Sequence, residues 1–425
     1  MLDHSATKLR TDDHRGPQRG SQTGGQAALV AVFPRPVAIP VAASAAPLGR
    51  DWLAEHGLAD SEVSAAHFQL SRAGGVLHVQ DAGSRNGTWL DGQRLVPHQS
   101  VPLERGAVLR VGLTALVYRP DFEGPSAPSD PLGDLVGPFG LRAVARDVAA
   151  LGRNPPPNVL VEGETGTGKE LLAATVARVL GRAEPYAAVN VAGVACGVFE
   201  SQLFGHVAGA FSGAQRASKG IIAAHDGGAV FLDEIGELPL DLQPRLLRLL
   251  ENREVLPVGA QRPFKVNVLL IAATNRDLEQ MVEEGEFRRD LLARLLLARL
   301  QLPPLRERRE DIFAIAQVLG SRTGLELDVR PTEVEAVERL LLEPWPSNVR
   351  ELGATLAALA SLDPSPGLRL WALEKVLGRA RPSSTGLLSA EAVQAALHAS
   401  GGNETQAARL LGVSRGKLRR FLDKA

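Results

Sequence analysis

The 425-residue sequence has a single cysteine, Cys196, which excludes an internal disulfide and a cysteine-based zinc site. No catalytic base stands beside it in sequence, so Cys196 reads as a small core residue. There is no run of 18 or more apolar residues, and so no segment that reads as a membrane-spanning helix. The opening stretch, MLDHSATKLRTDDHRGPQRGSQTGGQ, has no apolar core of the kind a secretory signal carries; residues 1–28 read as a disordered cytoplasmic tail. Charge of one sign is also missing overall, the formal net charge being −1. It is unevenly spread, however. Residues 401–425 carry six basic side chains against two acidic ones, which makes this tail the DNA-facing candidate. What the chain has in quantity is apolar residues, 44% of the total, enough for two to four separate cores at this length.

Between 29 and 120, short apolar runs (ALVAVF, AHFQL, VLHVQD, VLRVG) are separated by Gly, Ser and Asp turns, the pattern of an all-β sandwich. DFEGPSAPSDPLGD makes a linker over 121–134. From 135 to 305, apolar strands (NVLVEG, AVFLDE, VNVLLIAATN) alternate with helical patterns, which predicts an α/β unit with a parallel sheet. Residues 306–378 read as helical, 379–386 as a second linker, and 387–425 as short helices broken at LLGVS.

The strand NVLVEG runs straight into GETGTGKE and then a helix, so Gly163, Glu164, Thr165, Gly166, Thr167, Gly168, Lys169 and Glu170 form a phosphate loop in its required context. Glycines let backbone N–H groups curl around phosphate oxygens at a helix N-terminus, and Lys169 can reach the β and γ phosphates of ATP. Glu170 stands where Ser or Thr would supply a hydroxyl to Mg2+, so the metal must lean on another carboxylate. GGAVFLDE supplies one. Asp233 at the strand tip can hold Mg2+ through water while Glu234 polarises the attacking water. Asn275 ends the next strand, where a polar group can read the γ phosphate. A different kind of signal lies at GHVAGAFSGA, residues 205–214, a flexible small-residue stretch carrying one aromatic, Phe211. It is either a buried turn or a support that holds Phe211 out to a partner.

GETGTGKE, GGAVFLDEIGELP, AATNRDLE, GEFRRDLLARL, LPPLRERREDI and WPSNVREL, in this order, resemble the AAA+ ATPase of bacterial enhancer-binding proteins that activate sigma-54 RNA polymerase. The resemblance covers about 135–375. It implies a homo-oligomeric, hexameric ring in which Arg288 and Arg294 complete a neighbour's site, with Arg350 as the lid's nucleotide sensor. Asn190 would pair with the catalytic Glu234 and switch it. Gly209, Ala210, Phe211, Ser212, Gly213 and Ala214 resemble the loop with which the family grips sigma-54, Ser212 replacing the usual Thr.

In the β region, LGRD, VSAAH and DAGSRNGTWLDG resemble the forkhead-associated (FHA) domain, which reads phosphothreonine peptides. Arg50, Ser64, Arg85 and Asn86 match its contact positions, and His67 and Thr88 would brace the loops. Ala65 stands where a polar residue is common and Arg85 where Thr is. The end of the chain resembles a Fis-type helix-turn-helix, with Ser414, Arg415, Lys417, Arg419 and Arg420 on the recognition helix. Together these resemblances imply a cytoplasmic activator. It would bind enhancer-like promoter DNA and spend ATP to open the complex of sigma-54 holoenzyme with its promoter, under phosphothreonine control. A phosphopeptide-binding scaffold with a degenerate ATPase is the competing reading.

Overall fold

In the computed structural model the described residues are 25–192, 196–328, 330–378 and 400, with Cys196 described by its backbone alone. Apart from Ser400, the expected linker at 379–386 and the helices at 387–425 lie outside them, as do Ser414, Arg415, Lys417, Arg419 and Arg420.

The first unit is built from β1 (Gln26–Phe33), β2 (Val37–Pro40), a short helix α1 (Arg50–Glu55), β3 (Phe68–Ala73), β4 (Val76–Asp81), β5 (Thr88–Leu90), β6 (Gln93–Arg94), β7 (Val101–Pro102), β8 (Val108–Val111) and β9 (Thr114–Phe122). One sheet runs β2-β1-β9-β8-β5-β6 and faces a second, β3-β4-β7, with all pairings antiparallel. Leu29, Phe68, Leu70, Val79, Leu109 and Leu116 fill the sandwich between them. The unit is longer at both ends than the turn spacing suggests, because Gln26 pairs in register with Phe122. The segment expected to be a free linker is also tied down: Ala38 N donates to Ser126 O, and Ser129 N to Pro138 O.

The α/β unit contains α2 (Arg142–Arg153), β10 (Asn158–Glu162), α3 (Lys169–Val179), β11 (Tyr186–Asn190), α4 (Cys196–Phe204), α5 (Gly220–Ala224), β12 (Ala229–Asp233), α6 (Gln243–Asn252), the hairpin β13 (Glu254–Val255) and β14 (Phe264–Lys265), β15 (Leu269–Thr274), α7 (Leu278–Glu283), α8 (Arg289–Leu295) and β16 (Arg299–Gln301). Its parallel sheet has the order β11-β12-β15-β10-β16. β10, β12 and β15 are buried on both faces, as their unbroken apolar runs require. The order puts the tips of β10, β12 and β15 side by side, where open α/β sheets bind ligands.

Helices α9 (Arg309–Arg322), α10 (Val334–Leu342), α11 (Asn348–Leu362) and α12 (Leu370–Leu377) form a lid packed around Phe313, Leu340, Trp345, Leu356 and Leu373. Val32, Val108, Ala115 and Val117 of the first unit belong to the same apolar cluster, so the sandwich is docked on the lid. Among the described residues no helix is long and apolar enough to cross a membrane.

Candidate nucleotide and phosphopeptide sites

Gly163–Gly168 links β10 to α3, and Lys169 is the helix's first residue. Gly166 and Gly168 have φ of 78° and 105°, left-handed values that side chains resist, and a Cβ on Gly166 would lie 2.2 Å from Ser347 O of the lid. Lys169 is 8% exposed, and burial pulls its ammonium below the usual lysine range while Asp233 and Glu234 push the other way. Its Nζ folds back on the loop, donating to Gly163 O at 3.0 Å and Glu164 O at 3.2 Å. Glu170, next along α3, is exposed and lines the same cleft of about 250 Å3 as Lys169, Asp233, Glu234 and Arg350.

Asp233 ends β12, and Glu234 follows in a left-handed conformation, φ 58°, that turns its carboxylate toward β11. There Asn190 Nδ2 donates to Glu234 Oε2 at 3.2 Å, while Asn190 Oδ1 accepts from Ala192 N at 2.8 Å and so fixes which way the amide points. Asn275, just past β15, donates to Thr165 Oγ1 at 3.0 Å. Thus Lys169, Asp233, Glu234, Asn190 and Asn275, spread over more than 100 positions, gather at adjacent strand tips. Arg288 and Arg294 are not brought there. Arg288 pairs with Asp290 and Arg294 with Glu251 on the exposed face around α8.

The lid grips the loop through residues whose motifs are visible in sequence but whose roles are not. Asn348, fully buried with φ 55°, accepts from Leu305 N and donates to Thr165 O at 3.0 Å and Glu164 Oε2 at 3.2 Å. Val349 N donates to Gly166 O and Arg308 Nη2 to Thr167 O, at 3.0 and 3.2 Å. Arg306 forks onto both oxygens of Glu164 and holds that carboxyl below the usual range. The ATP phosphates fit this cradle: the loop is already shaped, and its cation is buried with no carboxylate within salt-bridge distance among the described residues. For Mg2+ the chain offers Asp233 in the cleft. That suffices for an ion that keeps several waters and takes its other ligands from phosphates.

Between α4 and α5, Phe211 is 47% exposed, at the tip of a tight turn closed by Gly209 N to Ala214 O and Ala214 N to Phe211 O. Gly209 and Gly213 have positive φ and open space around them. The Phe211 ring leans on His206, centroids 5.0 Å apart. His206 Nε2 donates to Arg216 O, so its Nδ1 accepts from Ser201 Oγ and the ring is pinned.

The sandwich gathers its four predicted contact residues at one end. Arg50 Nε donates to Val63 O and its N to Ser64 O; Ser64 Oγ accepts from Arg85 N at 3.2 Å. Asn86 Nδ2 donates to Glu62 O and Glu62 Oε2, both at 2.8 Å, which brings an unpredicted carboxylate to the rim. Beneath, His67 Nδ1 accepts from Ser64 N and Nε2 donates to Gly87 O; burial lowers its pKa below 6.5 and keeps it neutral. Asp81, also missed in sequence, accepts from Thr88 Oγ1, Ser84 Oγ and the Gly83 and Ser84 amides. Those bonds hold its carboxyl below the usual range despite burial.

A phosphate loop on an interior parallel strand, an acid pair at the tip two strands away and a helical lid closing over the loop define an AAA+ P-loop module, here with a β-sandwich docked on its lid. In line with this, residues 141–301 match the sigma-54 interaction domain and 306–389 the AAA+ ATPase lid domain. Residues 48–112 match the FHA domain and 387–424 the bacterial regulatory protein, Fis family. These domains stand in an order similar to that of sigma-54-dependent activators. It is 46% identical over 231 residues to the DNA-binding transcriptional regulator NtrC of Escherichia coli (strain K12), covering 53% of this chain and 49% of that one. It is 46% identical over 198 residues to the regulatory protein LuxO of Vibrio cholerae, covering 46% and 37%. The chain thus spans about half or less of the length of these relatives. NtrX from Brucella abortus, solved in complex with ATP, superposes with a TM-score of 0.51 at 28% identity, covering 69% of each chain.

Proposed function

We propose that the chain hydrolyses ATP in a homo-oligomeric ring and uses the motion to open promoter complexes of sigma-54 RNA polymerase, from upstream DNA and under the control of a phosphothreonine peptide. One observation carries this reading: a single module holds both the gathered Lys169–Asp233–Glu234 cleft and an aromatic presented on a pinned, solvent-facing turn. Lys169 and the loop amides hold the phosphates. Glu234 takes the proton of the attacking water once Asn190 releases it. Asp233 would hold Mg2+ through water, and the ion would supply screening of the charge that develops on the phosphates. Arg350 reads the nucleotide from the lid, and Arg288 and Arg294 face outward as fingers for a neighbouring subunit would. Arg50, Ser64, Arg85 and Asn86 take the phosphopeptide, and residues 387–425 the DNA.

The test is an open-complex assay with sigma-54 holoenzyme. Phe211→Ala should keep nucleotide binding and lose promoter opening, because the output passes through that ring. Opening at the parental level by Phe211→Ala would reduce the turn to a structural role and remove the sigma-54 assignment.

A further inference from the structure

A sandwich sheet ordinarily has one wet face and alternates along each strand. Here β1, β8 and the first half of β9 are buried almost without a break. Leu29, Leu109 and Leu116 point into the sandwich, while Val32, Val108, Ala115 and Val117 point the other way, into the lid. A bulge between Ala31 and Phe33 lets Phe33 join the outer set, where its ring meets Phe313 of α9 edge-on at 5.5 Å.

Charge fixes the register of this seam. Arg110 on β8 donates to Glu338 Oε2 at 2.7 Å and Glu335 Oε1 at 3.1 Å on α10, and its guanidinium lies 4.4 Å over the ring of Trp89, two residues past the recognition loop at Gly87. Arg119 on β9 donates to Glu307 O and reaches Glu310 Oε1 at 3.4 Å. The seam is incompletely satisfied, since Glu310 Oε2 is buried with no hydrogen-bond partner among the described residues. A half-satisfied polar network weakens an interface relative to a fully paired one and makes release easier.

The same sandwich also touches the entry to the α/β unit. Val30 and Ala38 pack on Phe139, and Arg142 at the start of α2 stacks on Phe122 and Phe139. The sandwich therefore touches both the entry to the α/β unit and the lid, while the lid holds the phosphate loop through Asn348, Val349 and Arg308. A nucleotide held between two bodies leaves when they move apart.

We propose that the outer face of the FHA sheet is a docking surface for this chain's own lid, and that docking restrains the lid and slows nucleotide release. The proposal rests on the nucleotide-binding reading of the cleft but not on hydrolysis or phosphopeptide binding. It assigns the domain's direction of action: docked, it is a brake; released, it lets the ATPase cycle.

The experiment measures the release rate of a fluorescent ADP from the full chain, with hydrogen exchange of the α10 and β8 amides read in parallel. Arg110→Glu and Glu338→Arg, each alone, should accelerate exchange and speed release at least about fivefold, the low end of intramolecular couplings. The reciprocal pair Arg110→Glu/Glu338→Arg should bring both readouts back toward the parent, which a folding defect would not do. Faster exchange with unchanged or slower release would overturn the brake. Unchanged exchange in both single variants would overturn the charged seam as the holding contact, as would a double variant no better than the singles. A parent chain that binds ADP but does not hydrolyse ATP would sink the ATPase reading while leaving this result decided.

Discussion

The chain has two candidate phosphate sites, and they are built in opposite ways. At the phosphate loop the cation is buried, the donors are backbone amides at a helix start, and a second body closes over the loop through Asn348 and Val349. At the FHA rim the cations Arg50 and Arg85 are exposed, and everything that shapes the loops, His67, Asp81 and Thr88, lies beneath them in the sandwich. A site closed by a mobile lid converts occupancy into motion. A site on a rigid rim reads a partner's surface without having to move.

The sharpest way to test that contrast is Glu234→Gln. It should bind nucleotide like the parent and lose about 10²–10⁴ in hydrolysis, because an amide cannot accept the water's proton. Turnover assays beside equilibrium binding decide this, and near-normal turnover would remove Glu234 from the role. At the rim, Arg50→Ala should weaken a phosphothreonine peptide by roughly 30-fold, the cost of leaving a charged group unpaired. ADP affinity should stay unchanged; calorimetry on the full chain reads both, and equal losses at the two sites would merge what we treat as separate. Asn348→Ala should sit between the two designs: it leaves Leu305 N and Thr165 O unpaired and should weaken ADP about tenfold with the peptide unaffected.

The smallest expected effect concerns pH. His67 is buried neutral, with a pKa below its unfolded value of 6.5, so the unfolded chain binds more protons between the two values. FHA stability should therefore be full above about pH 6.5 and decline as pH falls through the folded pKa. Thermal melts across this range, with His67→Gln as the flat control, give the sign. Rising stability on acidification would contradict the buried neutral ring.

The glycine spacing, Lys169 and the acid pair are legible in sequence because each works through a few consecutive residues at a strand tip, and such local chemistry leaves a contiguous trace. The FHA rim is legible for the same reason, as three short loops. The supports are not. Beyond His67 and Thr88, which the resemblance marks as braces, Asp81 looks like any turn Asp, and Asn348 shows its importance only through complete burial and a left-handed backbone. The rim's acid, Glu62, meets Asn86 across 24 positions, a pairing that no spacing rule reaches.

Sequence by itself determined the succession of units, the identity of the phosphate loop and the presence of an aromatic on a glycine-flanked turn, because each depends on local periodicity and backbone freedom. Only the tertiary structure decided how Asn190 reaches Glu234, that Arg288 and Arg294 face away from this chain's own cleft, and that an FHA sheet with two apolar faces docks on the lid. Those outcomes depend on which distant surfaces meet, and burial on both faces of β1 and β8 reads the same in sequence whether the second face meets a domain, a partner or its own lid.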